Sequence, residues 1–238
     1  MKAILSAALD LIYPRICVAC GRSVGEAQQH VCWDCLAKIQ IVAEPFCAQC
    51  GDPAEGTVET RYVCSWCRRT GPHFELARSA ARHRGPLRHA LHAYKYLQAT
   101  YLTADFVAML TACVWTHYRK VDFDGVAHVP LYPARERERT YNQAGLLAAG
   151  LAGALRVPLA PRGLRRVRAT ATQTHLSASE RRVNVKGAFE MADRSWIEGR
   201  RLLLVDDVMT TGATVNECAG VLREAGAASV HVATVARG

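Results

Sequence analysis

The hydrophobic pattern of the chain changes character near residue 74. Before it, large apolar residues are sparse and cysteines are frequent. After it, apolar segments alternate between two periods. RLLLV (201–205), GVAHVP (125–130) and SVHVATVA (229–236) are short apolar runs bounded by polar or turn residues, and they predict buried strands. PLRHALHAYKYLQ (86–98), residues 101–119, NQAGLLAAGLAGAL (142–155) and TVNECAGVLREAG (214–226) predict helices. In the last, Val215, Cys218, Ala219 and Leu222 share one face and Gly226 supplies a stop. Strands alternating with helices imply an α/β fold, a mostly parallel sheet with helices on both faces. The start, MKAILSAALDLIYPRIC, is interrupted by Asp10 and has no small-residue cleavage site before Cys17. Ile4, Leu5, Ala8, Leu9 and Ile12 fall on one face, which predicts an amphipathic helix. No apolar run approaches the ~20 residues of a membrane span. The expected location is cytoplasmic, where disulfides do not persist.

Eight of the ten cysteines fall into four Cys-x-x-Cys pairs: Cys17/Cys20, Cys32/Cys35, Cys47/Cys50 and Cys64/Cys67. Two such turns complete one tetrahedral site, so eight sulfurs make two. In a reducing compartment this spacing points to zinc, although iron–sulfur or redox chemistry draws on the same thiolates. The glycines after the first and third pairs (CVACG, CAQCG) suit a zinc knuckle. Sequential pairing closes the shorter loops; a cross-braced arrangement uses the same ligands. His30 lies two residues before Cys32, but eight cysteines leave it no coordination position. Sites filled by protein ligands are structural, and metal binding then supplies much of the folding free energy of a segment this poor in apolar residues. Cys113 and Cys218 sit in helical patterns and read as buried thiols. The expected organisation is a zinc-binding module over 1–72 and a larger domain over 73–238.

Net charge is +9, from 30 Lys+Arg against 21 Asp+Glu, which favours polyanionic ligands without choosing among them. The stretch VDDVMTTGAT (205–214) narrows the choice. It follows a buried strand, where open α/β sheets bind ligands. Thr210, Thr211, Gly212, Ala213 and Thr214 lead into a helix and form a backbone cradle for phosphate. Asp206 and Asp207 suit ribose hydroxyls, directly or through Mg²⁺. Together they read as a site for a sugar phosphate with a free diol. Neither a Walker loop nor a dinucleotide fingerprint is present. The polar, arginine-rich stretch over 162–189 reads as a flap over such a site.

VDDVMTTGAT resembles the phosphoribosyl-diphosphate (PRPP) motif of type I phosphoribosyltransferases. Together with the four cysteine pairs, AYKY (93–96), VP…RERERTYNQ (129–143) and RRVRATATQTHLSASERRVNVKGAF, it resembles the ComF family of competence-associated, phosphoribosyltransferase-like proteins with a zinc module. The resemblance implies a type I phosphoribosyltransferase-like fold and Mg²⁺ bound with PRPP. It places the 5′-phosphate on Thr210 to Thr214, beyond Val208 and Met209, and the ribose 2′- and 3′-hydroxyls on Asp206 and Asp207. Arg135, Arg137 and Arg139 take the pyrophosphate loop. Lys95, Asn142, Gln143, Arg166, Arg168, Gln173 and Arg182 become further ligand or flap residues. It also implies natural transformation, with incoming single-stranded DNA and a competence helicase as partners. Transfer to an unknown acceptor in nucleotide metabolism, or protein docking by the zinc module, are the alternatives. Tyr94-Lys95-Tyr96 and Trp66-Cys67-Arg68-Arg69 interleave aromatic and basic residues, as DNA stacking would need, but core packing and zinc shielding use the same residues. One departure stands out: the family's Arg-Gly-Phe-Asn-Gln is Arg139-Thr140-Tyr141-Asn142-Gln143 here, and threonine resists the positive φ that glycine allows.

Overall fold

The structure is a computed structural model that describes residues 15–24, 30–54, 56, 62–161, 163–170 and 178–238. The expected N-terminal helix and Gln173 lie outside these residues. In chain order the elements are α1 (Trp33–Leu36), α2 (Ser65–Thr70), β1 (Leu76–Arg82), α3 (Gly85–Tyr96), α4 (Thr103–His117), β2 (Gly125–His128), α5 (Pro133–Arg139), α6 (Gln143–Leu155), β3 (Leu164–Arg166), α7 (Ala178–Val185), β4 (Phe189–Met191), β5 (Arg201–Met209), α8 (Ala213–Glu224) and β6 (Ser229–Arg237).

Four strands form one parallel sheet in the order β1-β6-β5-β2. Alternation along β5 explains why RLLLV is apolar throughout: Leu202 and Leu204 enter the core on one face, Leu203 and Val205 the core on the other. The first core is completed by α8, the antiparallel β3–β4 pair and the second group of four cysteines; the other by α3, α4 and α6. Both sheet edges carry a further short segment. Ile41 bridges Ala81 antiparallel, with Val42 N donating to Ala80 O at 3.1 Å and Arg82 N to Gln40 O at 2.7 Å. Beyond β2, Leu159 bridges Val126 in parallel.

β1 carries no sequence signal. LARSAAR has neither β-branched residues nor alternation, and pairing with β6 makes it a strand. Ser79 and Thr234 share a buried hydrogen bond of 2.6 Å across that pair. The segment after β2, expected as a loop, is the helix α5: Pro133 opens it and Ala, Glu and Arg are good helix formers. Within the expected flap, β3 and β4 pair antiparallel with α7 between them; residues 162 and 171–177 lie outside the described ones. Among the described residues no helix is long and apolar enough to cross a membrane.

α5 ends on Thr140, which adopts φ 69° and ψ −8°. A β-branched residue in the left-handed region is a steric outlier costing about 1–2 kcal/mol. Its Oγ1 donates to Arg139 O at 2.6 Å, a partial compensation. The turn thus keeps the geometry glycine would favour although threonine occupies it. Thr140→Gly is expected to raise the unfolding free energy by about 1 kcal/mol, read from urea denaturation with an unchanged slope.

Candidate functional site

The carboxyl ends of the sheet strands open into a cleft of about 470 Å³. Strand β5 runs on through VDDVM, so Asp206 and Asp207 belong to the strand itself and not to the loop beyond it. Lys95, near the end of α3, places its Nζ 2.7 Å from Asp207 Oδ2. Asp207 Oδ1 accepts from Val208 N at 2.8 Å, and Asp206 Oδ1 accepts from Asp207 N at 2.9 Å.

Electrostatics divide the two acids. Burial opposes charge on Asp207, but the Lys95 ammonium outweighs it and holds the carboxyl below its ordinary 3.8. Burial likewise opposes charge on Lys95, and Asp207 outweighs it, so the ammonium titrates above its usual range. Asp206 is pushed well above 3.8, by burial first and by the Asp207 charge second. The Lys95 contact therefore favours negative charge on Asp207, while burial and that charge disfavour it on Asp206.

Three arginines face these acids. Arg139 Nη1 donates to Gln143 Oε1 at 2.7 Å, and its guanidinium lies 5.2 Å from the centre of the Tyr96 ring. Arg135 lines the same wall, paired at 3.6 Å with Glu138 one turn on. Arg166, on β3, reaches in over the Phe189 ring and donates to Thr170; burial lowers its pKa. Asn142 is a positioning residue. Its Oδ1 caps α6 by accepting from Gly145 N at 3.1 Å, while its Nδ2 donates to Val129 O at 3.2 Å.

Val208 and Thr214 line the cleft as well. Thr210, Thr211 and Gly212 form the turn between β5 and α8, and Ala213 is the first residue of the helix; Gly212 caps it at φ 78° and Thr211 Oγ1 accepts from Ala213 N at 3.4 Å. The Met209 side chain is buried in the core beneath this turn. Arg137 is exposed on α5 and does not line the cleft. Arg168 donates to the carbonyls of Asn184 and Lys186, so backbone occupies it. Arg182 lies on α7, with its side chain outside the described residues. Sequence reasoning missed Tyr96 as the ring beneath Arg139; its place four residues after the exposed His92 on α3 was the available signal.

The aromatic–basic stretches are resolved in favour of packing. Tyr94 is fully buried, Lys95 is taken by Asp207, and Trp66 packs on Phe74 with ring centroids 6.3 Å apart. Stacking of DNA bases on Tyr94 or on the packed face of Trp66 is therefore excluded; Tyr96, Arg68 and Arg69 remain exposed.

The cysteines gather sequentially: Cys17, Cys20, Cys32 and Cys35 in one cluster, Cys47, Cys50, Cys64 and Cys67 in the other, with sulfurs within 4.8 Å of one another. Sulfur pairs at 3.7 Å fit the ~3.8 Å edge of a zinc–thiolate tetrahedron. Backbone amides point at sulfur, Cys32 N to Cys17 at 3.4 Å and Cys64 N to Cys47 at 3.3 Å. The donor set fits structural zinc at both. His30 is not a ligand; its Nδ1 pairs with Asp105 at 3.0 Å and its ring lies on Tyr101. The first cluster forms a small core of its own, whereas the second is part of the main one.

Two outcomes follow. Asp206 binds its proton more tightly in the fold than in the unfolded chain. Its contribution to stability is full below 3.8 and is lost as pH rises through the raised folded value. Asp207 runs oppositely: its contribution is present above 3.8 and is lost as pH falls through the depressed value. Asp206→Asn should therefore add about 1 kcal/mol at neutral pH and flatten the decline, measured by urea denaturation over about pH 4 to 8. Elemental analysis should find two zinc ions per chain, with strong chelation sharply lowering the melting temperature.

Comparison with known proteins agrees with this architecture. The chain matches the double zinc ribbon domain family over residues 8–71 and the phosphoribosyl transferase domain family over residues 143–238. Competence protein F of Haemophilus influenzae is 31% identical over 226 residues, covering 93% of this chain and 96% of that protein. DNA utilization protein YhgH of Salmonella typhimurium is 32% identical over 225 residues, covering 93% and 96%. Competence protein ComFC of Bacillus subtilis is 28% identical over 212 residues, covering 88% and 85%. With a double zinc ribbon ahead of a phosphoribosyltransferase-type domain, and with this likeness along nearly its whole length, the chain belongs to the ComF family of competence proteins.

Proposed function

We propose that the cleft binds PRPP, with Mg²⁺ brought in by its diphosphate, and that the protein serves DNA uptake and utilisation. The observation that carries the first part is the pair Asp206–Asp207, on a strand end that leads into a phosphate-type turn and faces Lys95, Arg135, Arg139 and Arg166. Carboxylates accept hydrogen bonds from a ribose diol, and two adjacent ones match its two hydroxyls. The amides of the turn and the first residues of α8 suit the 5′-phosphate. The guanidinium forks suit the diphosphate oxygens. Bound Mg²⁺ would supply charge neutralisation on the diphosphate. If an acceptor is present, its lone pair bonds to C1 as the C1–O bond breaks, diphosphate leaves with the electron pair, and the cations hold the departing charge. The second part rests on the relatives named for competence and DNA utilization. A net charge of +9 fits a polyanionic partner such as single-stranded DNA, with a helicase as a further partner in that setting.

Calorimetric titration of PRPP with Mg²⁺ into zinc-loaded protein tests the site. Saturable binding is expected, abolished in Asp206→Asn/Asp207→Asn and weakened more than about tenfold in Lys95→Met or Arg139→Ala. Absence of binding to the folded wild type would refute the reading.

A further inference from the structure

Behind the phosphate turn stands the second zinc ribbon. Trp66, between ligands Cys64 and Cys67, sets its indole edge against Gly212: a Cβ there would lie 3.4 Å from Trp66 Cη2 and 2.7 Å from Met209 Cε. With φ at 78° and its side-chain space filled from behind, Gly212 has no room to turn inward. A second contact starts at Asp52, two residues after ligand Cys50. Asp52 Oδ1 pairs with the buried Arg237 Nη2 at 2.9 Å, and Arg237 Nη1 donates to Met209 O, where the turn begins, at 2.9 Å. A third contact holds α8: His73 N donates to Asn216 Oδ1 at 2.8 Å, and the His73 ring lies over Gly220. The first ribbon rests elsewhere, on Asp105 and Tyr101 through His30 and on His89 through Ala19 O.

We propose that the second zinc ribbon is the supporting wall of the phosphate turn, with Trp66 and Asp52 as positioning residues for Gly212 and Met209, and that the first ribbon has no such role. The division follows from the contacts: both ligand pairs of the second site lie within two residues of an atom that fixes the turn. The indole Nε1 finds no acceptor among the described residues, so the contribution of Trp66 is shape, which phenylalanine largely retains. Because the wall backs the 5′-phosphate end, its loss weakens any ligand carrying that phosphate. Loss of Arg139, whose guanidinium is assigned to the diphosphate, weakens only a ligand carrying one.

This rests on the phosphoribosyl reading of the cleft, and the experiment separates the two. Ribose 5-phosphate, and PRPP with Mg²⁺, are titrated calorimetrically into wild type, Trp66→Leu, Trp66→Phe, Asp52→Asn, His30→Ala and Arg139→Ala. Zinc content and melting temperature are measured on the same samples. Expected is a loss of about tenfold in affinity for both ligands in Trp66→Leu and Asp52→Asn, recovery in Trp66→Phe, and loss for PRPP alone in Arg139→Ala. His30→Ala is expected to lower the melting temperature while leaving both affinities at wild-type values. Wild-type affinities in zinc-loaded Trp66→Leu and Asp52→Asn would overturn the inference, as would a loss confined to PRPP. Should Trp66→Leu fail to fold, Asp52→Asn against His30→Ala decides. Wild type that binds neither ligand would refute the phosphoribosyl reading, and this inference with it.

Discussion

At the end of a buried strand, two adjacent carboxylates share a single ammonium. Like charges confined in a place of low dielectric repel strongly, and Lys95 can neutralise only one of them. Asp207 takes the contact, which favours its charge; charge on Asp206 is disfavoured. Much of the surrounding structure serves this arrangement. Helix α3 must end where Lys95 reaches Asp207, and Tyr94 beside it must be buried to fix that end. Tyr141 anchors the same end by donating to Tyr94 O. Arg139 then stands over Tyr96, held by Gln143, on the positive side of the cleft. Asp206 costs the fold stability as pH rises, while both carboxylates give the cleft its chemistry, a familiar opposition between stability and function.

How much of this was legible depended on how local the physics was. RLLLV and SVHVATVA announce themselves because burial on both faces demands continuous apolar runs. The cysteine pairs are equally plain, since coordination fixes both residue type and spacing. The paired acids were readable because strand, turn and helix follow one another in the chain. LARSAAR was not readable: its strand state is imposed by β6 from the far end of the sequence. Thr140 shows a local preference overruled, since the residue disfavours the conformation that helix end and cleft wall require. Trp66 and Asp52 were invisible as turn supports, because Gly212 and Arg237 are remote in sequence and neither contact leaves a periodic trace.

The two ribbons look alike in sequence and differ in how they are held. The first keeps a small core of its own and is tethered by side chains at its margin. The second has given its cysteines to the main core, and buried Arg78 ties it down by donating to the carbonyl of Ala48 at 2.9 Å beneath the Phe46 ring. Metal in that position stabilises not a peripheral appendage but part of the interior of the larger domain.

The short segments flanking the sheet also constrain assembly. Residues 40–42 occupy the outer hydrogen-bonding edge of β1, and the segment around Leu159 occupies that of β2. With those positions taken, the sheet offers little backbone for another chain to extend it. At this sheet, association of copies or partners is directed to side-chain surfaces, where charge and shape select the neighbour, and away from the indiscriminate pairing of exposed strands.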